Sequence, residues 1–198
     1  MMQVREMFSS PIATDFLELD NIALEIFCRE RFFDSVKYKK HNLIQTDDLL
    51  PHEHPVLQQL IKSVQDKANE FHRQIGLSDS YKQRIVNCWA NLDTNWSIRT
   101  PHQHPNGALA CVYYVTGGPD SGDLEFINPN TSLMRTFFAE HIAEFNKFTA
   151  NTFKSSPKPG KLIIFPAWLY HYVNTGTSDK DRISIAFNTA FETKKEIL

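Results

Sequence analysis

Cysteine is scarce in this chain. Its 198 residues contain three, Cys28, Cys88 and Cys111, with no CxxC spacing among them. That odd set excludes a disulfide framework and a cysteine-based zinc site, and each thiol is expected to be a small buried apolar group. A surplus of either charge is also lacking. The 21 Lys and Arg stand against 23 Asp and Glu, a net charge of −2, and no basic run occurs, so neither nucleic acid nor a membrane surface is expected as an obligatory partner. Long apolar runs are absent as well. No stretch approaches the ~18 residues of a spanning helix, and the opening MMQVREMFSSP has no signal-peptide core. A cytoplasmic location is expected. No repeat, low-complexity tract or linker interrupts the chain, so residues 1–198 are expected to form one domain, burying roughly two-thirds of the unfolded surface.

Within that domain two halves differ in periodicity. Residues 1–80 read as short extended pieces and supporting helices. A helix is expected over residues 21–33, with Asp20 or Asn21 as its N-cap and Ile22, Ile26, Phe27 and Phe33 toward the core. A second begins at Pro55 and carries Val56, Leu57, Leu60, Ile61, Val64, Ala68, Phe71 and Ile75 at three- and four-residue steps, with Gly76 placed to end it. From residue 81 onward short β-prone runs alternate with turn signals such as Gly117-Gly118-Pro119-Asp120 and Pro157-Lys158-Pro159-Gly160. Strands are expected near 84–91, 97–100, 108–116, 123–127, 133–138, 161–165, 170–174 and 182–191, with a short helix over 138–148. Many short strands without alternating helices point to an antiparallel double sheet. The expected fold is mainly β with N-terminal helices, a cupin-like jelly roll or double-stranded β-helix, whose core and metal site lie in residues 81–198.

The chemistry concentrates in HQHPNGALACVYYVT, residues 102–116, and in two positions downstream. His102 and His104 are two residues apart, which on an extended strand puts both imidazoles on one face. His171 follows the apolar run 161–165 and a turn, where a neighbouring strand would begin. These three could hold a redox-active iron on one side and leave its other positions open. Arg182 and Ser184 are again two apart, so one strand face could offer a paired guanidinium contact and a hydroxyl to a single carboxylate. A small diacid that also chelates the metal suits such a site, and 2-oxoglutarate is one. The second HxH, His52-Glu53-His54, is followed by no strand and reads as a solvated loop. His41, His72 and His141 read as surface or satisfied histidines.

The order HxH, YYV, GKLIIF, His, RIS resembles the 2-oxoglutarate/Fe(II)-dependent oxygenase superfamily, and HQHPNGALACVYYV resembles its prolyl-hydroxylase type. Similar still are small oxygenases of marine bacteria and cyanophages, in which HxHPN, VYY, an FPxWLxH-like stretch and RISI-FN recur. If the gene is a phage's, the expected location is the host cytoplasm. The resemblance covers roughly residues 85–191. It implies His102 and His171 as iron ligands, Arg182 and Ser184 gripping the far carboxylate of 2-oxoglutarate, and Tyr114 adding a phenolic hydrogen bond. It also implies an oxidation by O2 in which 2-oxoglutarate is converted to succinate and carbon dioxide. The departure is His104, where the superfamily usually has Asp or Glu. Three arrangements stay open there: His104 coordinates the metal, water replaces it, or His104 pairs with Asn106. Asp93, Asp123 and Glu125 rank below the histidines as ligands.

Two other function classes also stay open. One is a three-histidine cupin-type dioxygenase that does not use 2-oxoglutarate, and the other is a non-catalytic jelly-roll binding protein. The primary substrate has no legible code in the loops. A homodimer, if formed, would use an exposed sheet edge or the 56–75 helix.

Overall fold

In the computed structural model, which describes residues 2–5, 7–34, 36–40, 42–130 and 139–194, the first elements are β1 (Ala13–Phe16) and α1 (Asn21–Asp34). Asp20 caps α1, its Oδ1 accepting the Ala23 N–H at 3.0 Å. The buried face of α1 is Leu24, Phe27, Cys28 and Phe32, and the expected core residues Ile22, Ile26 and Phe33 are exposed. Apolar residues surround this helix, so periodicity alone does not choose its face; packing against its neighbours does. The hairpin β2 (Val36–Lys40) and β3 (Leu43–Thr46) follows. Its lysine-rich first strand carries no alternating apolar signal, and it was not expected from the sequence.

α2 (Pro55–Gln74) forms where its stripe predicts. Pro55 presets the helical φ at the first position, and Gly76 at φ +78° supplies the left-handed turn that ends it. Val56, Leu57, Leu60, Val64, Ala68 and Phe71 are buried against β4, β6 and β9 of the sheet described below, each of the larger ones contributing about 1.5–3 kcal/mol. His72, also on α2, is buried and satisfied. Its Nε2 donates to the Ser78 carbonyl at 2.9 Å, and its Nδ1 accepts from Gln83 Nε2 at 2.9 Å. His41 lies outside the described residues.

The remaining strands are β4 (Tyr81–Asp93), β5 (Arg99–His102), β6 (Leu109–Tyr114), β7 (Leu124–Ile127), β8 (Thr152–Ser155), β9 (Lys161–Pro166), β10 (His171–Val173) and β11 (Arg182–Thr193). β8 was not expected, and the strand expected over 133–138 lies outside the described residues. In place of the helix expected over 138–148 there is a short 3-10 helix, Ala139–His141, followed by turns. Phe145 and Phe148 are exposed there, so this segment has no buried face to hold a longer helix.

Two antiparallel sheets result, a seven-stranded one in the order β1-β9-β6-β11-β4-β3-β2 and a four-stranded one in the order β5-β10-β7-β8. Between them Ala110, Tyr114, Ile163 and Phe165 of the larger sheet meet Leu124 and Phe126 of the smaller. The larger sheet's other face, including Cys88, Cys111, Tyr113, Ile164 and Ile185, packs with α1 and α2. Strand alternation therefore divides the tyrosine pair. Tyr113 faces the helices and donates to Asn21 Oδ1 at 2.6 Å, while Tyr114 faces the interior between the sheets. The architecture is a double-stranded β-helix. Among the described residues no helix is long and apolar enough to cross a membrane.

Candidate functional site

The larger sheet's inner face is ordered by register. Across it, Tyr114 on β6 stands opposite Ser184 on β11, Ser184 opposite Asn91 on β4, and Asn91 opposite Gln45 on β3. Two residues along, on the same face, Arg182 stands opposite Asp93. In the other direction Ala186 stands opposite Val112 and Trp89. These rows, with part of the smaller sheet, line a cavity of about 230 Å³. Short residues, Ala186 and Ser184, open the floor, and polar side chains rim it.

The smaller sheet supplies three histidines. His102 closes β5 and His171 opens β10, and the two are direct partners across an antiparallel pair. His104 follows in a loop whose backbone is pinned by the His104 N–H donating to the Ala167 carbonyl at 2.9 Å. One ring nitrogen from each of the three lies within 4.8 Å of the others, the one such cluster among the described residues that could hold a metal ion. His104 Nε2 and His171 Nε2 are 3.2 Å apart. Two nitrogens bonded to one ion at about 2.1 Å and at right angles would be about 3 Å apart, so the spacing fits.

The backbone fixes which nitrogens are free. His102 Nδ1 donates to the Thr100 carbonyl and His171 Nδ1 to the Leu169 carbonyl, each at 2.8 Å. Each ring in its neutral form therefore leaves Nε2 as a lone-pair donor, the arrangement in which a metal-binding imidazole is held from behind. Burial, then the neighbouring His102, lowers the pKa of His104 to about 4. Burial lowers His171 to about 3 against the opposing Leu169 hydrogen bond, with His102 and His104 lowering it further. Both rings stay neutral and able to ligate well below neutral pH. The donor set suits a divalent transition metal.

A pH dependence follows from these shifts. In the unfolded chain both imidazoles gain a proton near pH 6.5, whereas in the fold they resist to about 4 and about 3. Between those values the unfolded chain binds more protons, so their contribution to stability is full above pH 6.5 and is lost as pH falls toward 3. In EDTA, the melting temperature is expected to fall steadily from pH 7 to pH 4.5. The slope should flatten in the His104→Gln/His171→Gln double variant; equal slopes would contradict the assignment.

At the deep end, Arg182 is 2 % exposed. Its Nη1 donates to the Ser121 carbonyl at 3.0 Å and the Gly122 carbonyl at 2.6 Å, and its Nη2 lies 3.0 Å from Asp93 Oδ2. Its Nε is buried and has no partner. Gly122, at φ +89°, makes room for this, since a Cβ there would stand 2.8 Å from Nη1. A carboxylate reaching Nε would satisfy the orphaned donor. Tyr114 is buried beside it, and burial raises its hydroxyl to about 12 despite the lowering effect of Arg182, so it remains a phenol able to donate.

All six sequence-predicted residues, His102, His104, His171, Arg182, Ser184 and Tyr114, line the one cavity. Asn106 does not, standing exposed in a turn at φ +70°. Glu125 is engaged elsewhere, with Tyr172 Oη and Asn174 Nδ2 at 2.7 Å and Lys154 Nζ at 3.0 Å. Asp93 reaches the site, paired with the arginines. The expectation missed Arg99, Gln45, Trp89 and Asn91, all of which line the cavity. The signal was present in β4, where Asn87, Trp89, Asn91 and Asp93 alternate on one face, a polar and aromatic stripe where a two-sided core strand would be apolar.

A family profile described as "Putative 2OG-Fe(II) oxygenase" matches residues 87–188. Among solved structures, a Pseudomonas putida prolyl-4-hydroxylase superposes with a TM-score of 0.62 at 16% identity, covering 92% of this chain and 94% of that one. The viral collagen prolyl hydroxylase of Paramecium bursaria Chlorella virus-1, solved as its 2-oxoglutarate complex, gives 0.59 at 16% identity over 90% and 96%. HygX from Streptomyces hygroscopicus, solved with nickel and 2-oxoglutarate, gives 0.59 at 13% identity over 91% and 83%. At these identities the likeness is one of fold. No curated protein sequence matches.

Proposed function

The chain belongs to the 2OG-Fe(II) oxygenase family whose profile spans residues 87–188, and on that premise we propose that His102, His104 and His171 hold the iron while Arg182, Ser184 and Tyr114 hold 2-oxoglutarate. The family is one of dioxygenases that use Fe(II) and 2-oxoglutarate. The observation that carries the residue assignment is the pairing, in one cavity, of a three-imidazole cluster with a buried guanidinium whose Nε lacks a partner.

When bound, iron and 2-oxoglutarate supply the oxidising chemistry, with O2 as the other co-substrate. The protein's own share is positioning. Backbone carbonyls of Thr100 and Leu169 hold two imidazoles in the ligating tautomer. Arg182, fixed by two carbonyls and Asp93, offers Nε to the distal carboxylate, with the Ser184 and Tyr114 hydroxyls opposite each other on neighbouring strands as further donors. Phe126 and Phe165, whose rings lie 6.2 Å and 4.7 Å from that of His171, pack against that imidazole and help fix its orientation. Three imidazoles leave a bound ferrous ion with its full double charge, which a 2-oxoglutarate dianion balances. The all-imidazole set also suits a dioxygenase without 2-oxoglutarate, but that reading leaves the Arg182 cradle without a purpose. Three free, buried cysteines suit the reducing cytoplasm.

The test is turnover. Aerobic protein supplied with Fe(II) and 2-oxoglutarate is expected to form succinate, and EDTA to stop it. Iron-dependent oxidation of added substrates with no succinate formed would favour the alternative.

A further inference from the structure

Neither the iron nor 2-oxoglutarate accounts for Arg99. It projects from β5 into the same cavity, with 18 % of its side chain exposed against 2 % for Arg182. Its Nε donates to Asp93 Oδ1 at 2.9 Å, and its Nη2 is buried with no partner. Asp93 is shared, its other oxygen 3.0 Å from Arg182. Two guanidiniums against one carboxylate leave the trio with one positive charge to spare. The cavity wall itself contains no Asp or Glu among the described residues, and its metal ligands are imidazoles. Iron as a dication and 2-oxoglutarate as a dianion cancel, so the loaded cavity keeps that surplus charge. A partly buried surplus charge of this kind favours an anion beside it. Beside it, two residues before Asp93 on the same strand face, Asn91 presents a buried Oδ1 that also lacks a partner, and Trp89 and Gln45 continue the wall.

We propose that Arg99 is the anchor for a carboxylate of the primary substrate, a small molecule or chain end whose carboxylate takes the free Nη2 while an N–H or O–H donor nearby meets Asn91 Oδ1. The planar guanidinium suits a carboxylate, and Trp89, whose ring is 6.0 Å from that of His104, would pack on the substrate's body between anchor and metal. The inference rests on the assignment of Arg182 to 2-oxoglutarate.

The test uses full-length protein loaded anaerobically with Fe(II) and saturating 2-oxoglutarate, titrated calorimetrically with matched pairs: benzoate and benzamide, acetate and acetamide, N-acetylglycine and N-acetylglycinamide. In the wild type at least one carboxylate should bind about tenfold more tightly than its amide. That preference should fall below about twofold in Arg99→Gln and be partly kept in Arg99→Lys, which retains the charge without the fork. Affinity for 2-oxoglutarate should change less than about threefold in either variant. A wild type without carboxylate preference, or an Arg99→Gln that keeps it, overturns the inference. So does a loss of 2-oxoglutarate affinity in either variant, since Arg99 would then belong to the co-substrate. Failure of the wild type to bind 2-oxoglutarate overturns instead the reading beneath it.

Discussion

Replacing His171 with alanine is expected to abolish iron binding while leaving both sheets standing. On the proposed ligand set, His171 is the ligand held most firmly. It is 3 % exposed, its ring stands edge-on 4.7 Å from Phe165, its Nδ1 is tied to the Leu169 carbonyl, and its Nε2 is 3.2 Å from that of His104. Loss of a hydrogen bond behind a ligand costs roughly 10–100-fold in metal affinity, and loss of the ligand itself should exceed that. Iron should fall from one per chain to a level undetectable after gel filtration. The cavity left behind should lower stability by roughly 2–5 kcal/mol. Arg182→Ala is the contrasting variant, expected to keep iron and lose 2-oxoglutarate. Iron analysis of the two, with circular dichroism to confirm folding, checks the division of roles. Equal loss of iron in both would contradict it.

Asp93→Asn should be costly to stability and revealing about charge. The carboxylate is 2 % exposed and lies between two guanidiniums, 2.9 Å from Arg99 and 3.0 Å from Arg182. Removing one partner of a buried ion pair leaves the other charge uncompensated, a loss of about 3–5 kcal/mol. Chemical denaturation should show that loss. Because the missing negative charge is the one a bound carboxylate would supply, 2-oxoglutarate added with Mn(II) should raise the variant's melting temperature by more than it raises the wild type's. A smaller rise in the variant would mean that Asp93 shapes the site for the ligand, not that it stands in for the ligand's charge.

What the sequence made legible was set by local pattern. The α2 stripe, its Pro55 start and its Gly76 end are consistent at every level, and α2 forms as expected. The strands carrying Tyr114 and Arg182 are apolar runs bounded by turns, whereas the one carrying His102 reads Arg-Thr-Pro-His and has no such pattern; the two-residue spacing puts Arg182 and Ser184 on one face, as strand alternation requires. Where local pattern is silent the expectations failed. α1 has apolar residues on every side, and only its neighbours select Leu24 and Phe32 over Ile22 and Phe33. The β2–β3 hairpin is polar along its first strand and exists because β4 offers an edge to pair with. The ion-paired trio depends on a register that joins Asp93 to Arg182 across 89 residues, and no local signal marks it. Asn91 and Trp89 were visible in the alternation of β4, but nothing in the sequence says which face of that strand looks toward the metal.

The central claim is that one cavity holds iron on the three histidines and 2-oxoglutarate on Arg182. Anaerobic titration of Fe(II)-loaded protein with 2-oxoglutarate, followed by the weak visible charge-transfer absorption of a chelated keto acid, tests it most directly. The account predicts a saturable band in the wild type and much weaker saturation in Arg182→Ala, with iron content unchanged. Bound iron with no band would contradict the 2-oxoglutarate assignment, and no bound iron at all would contradict the metal centre itself.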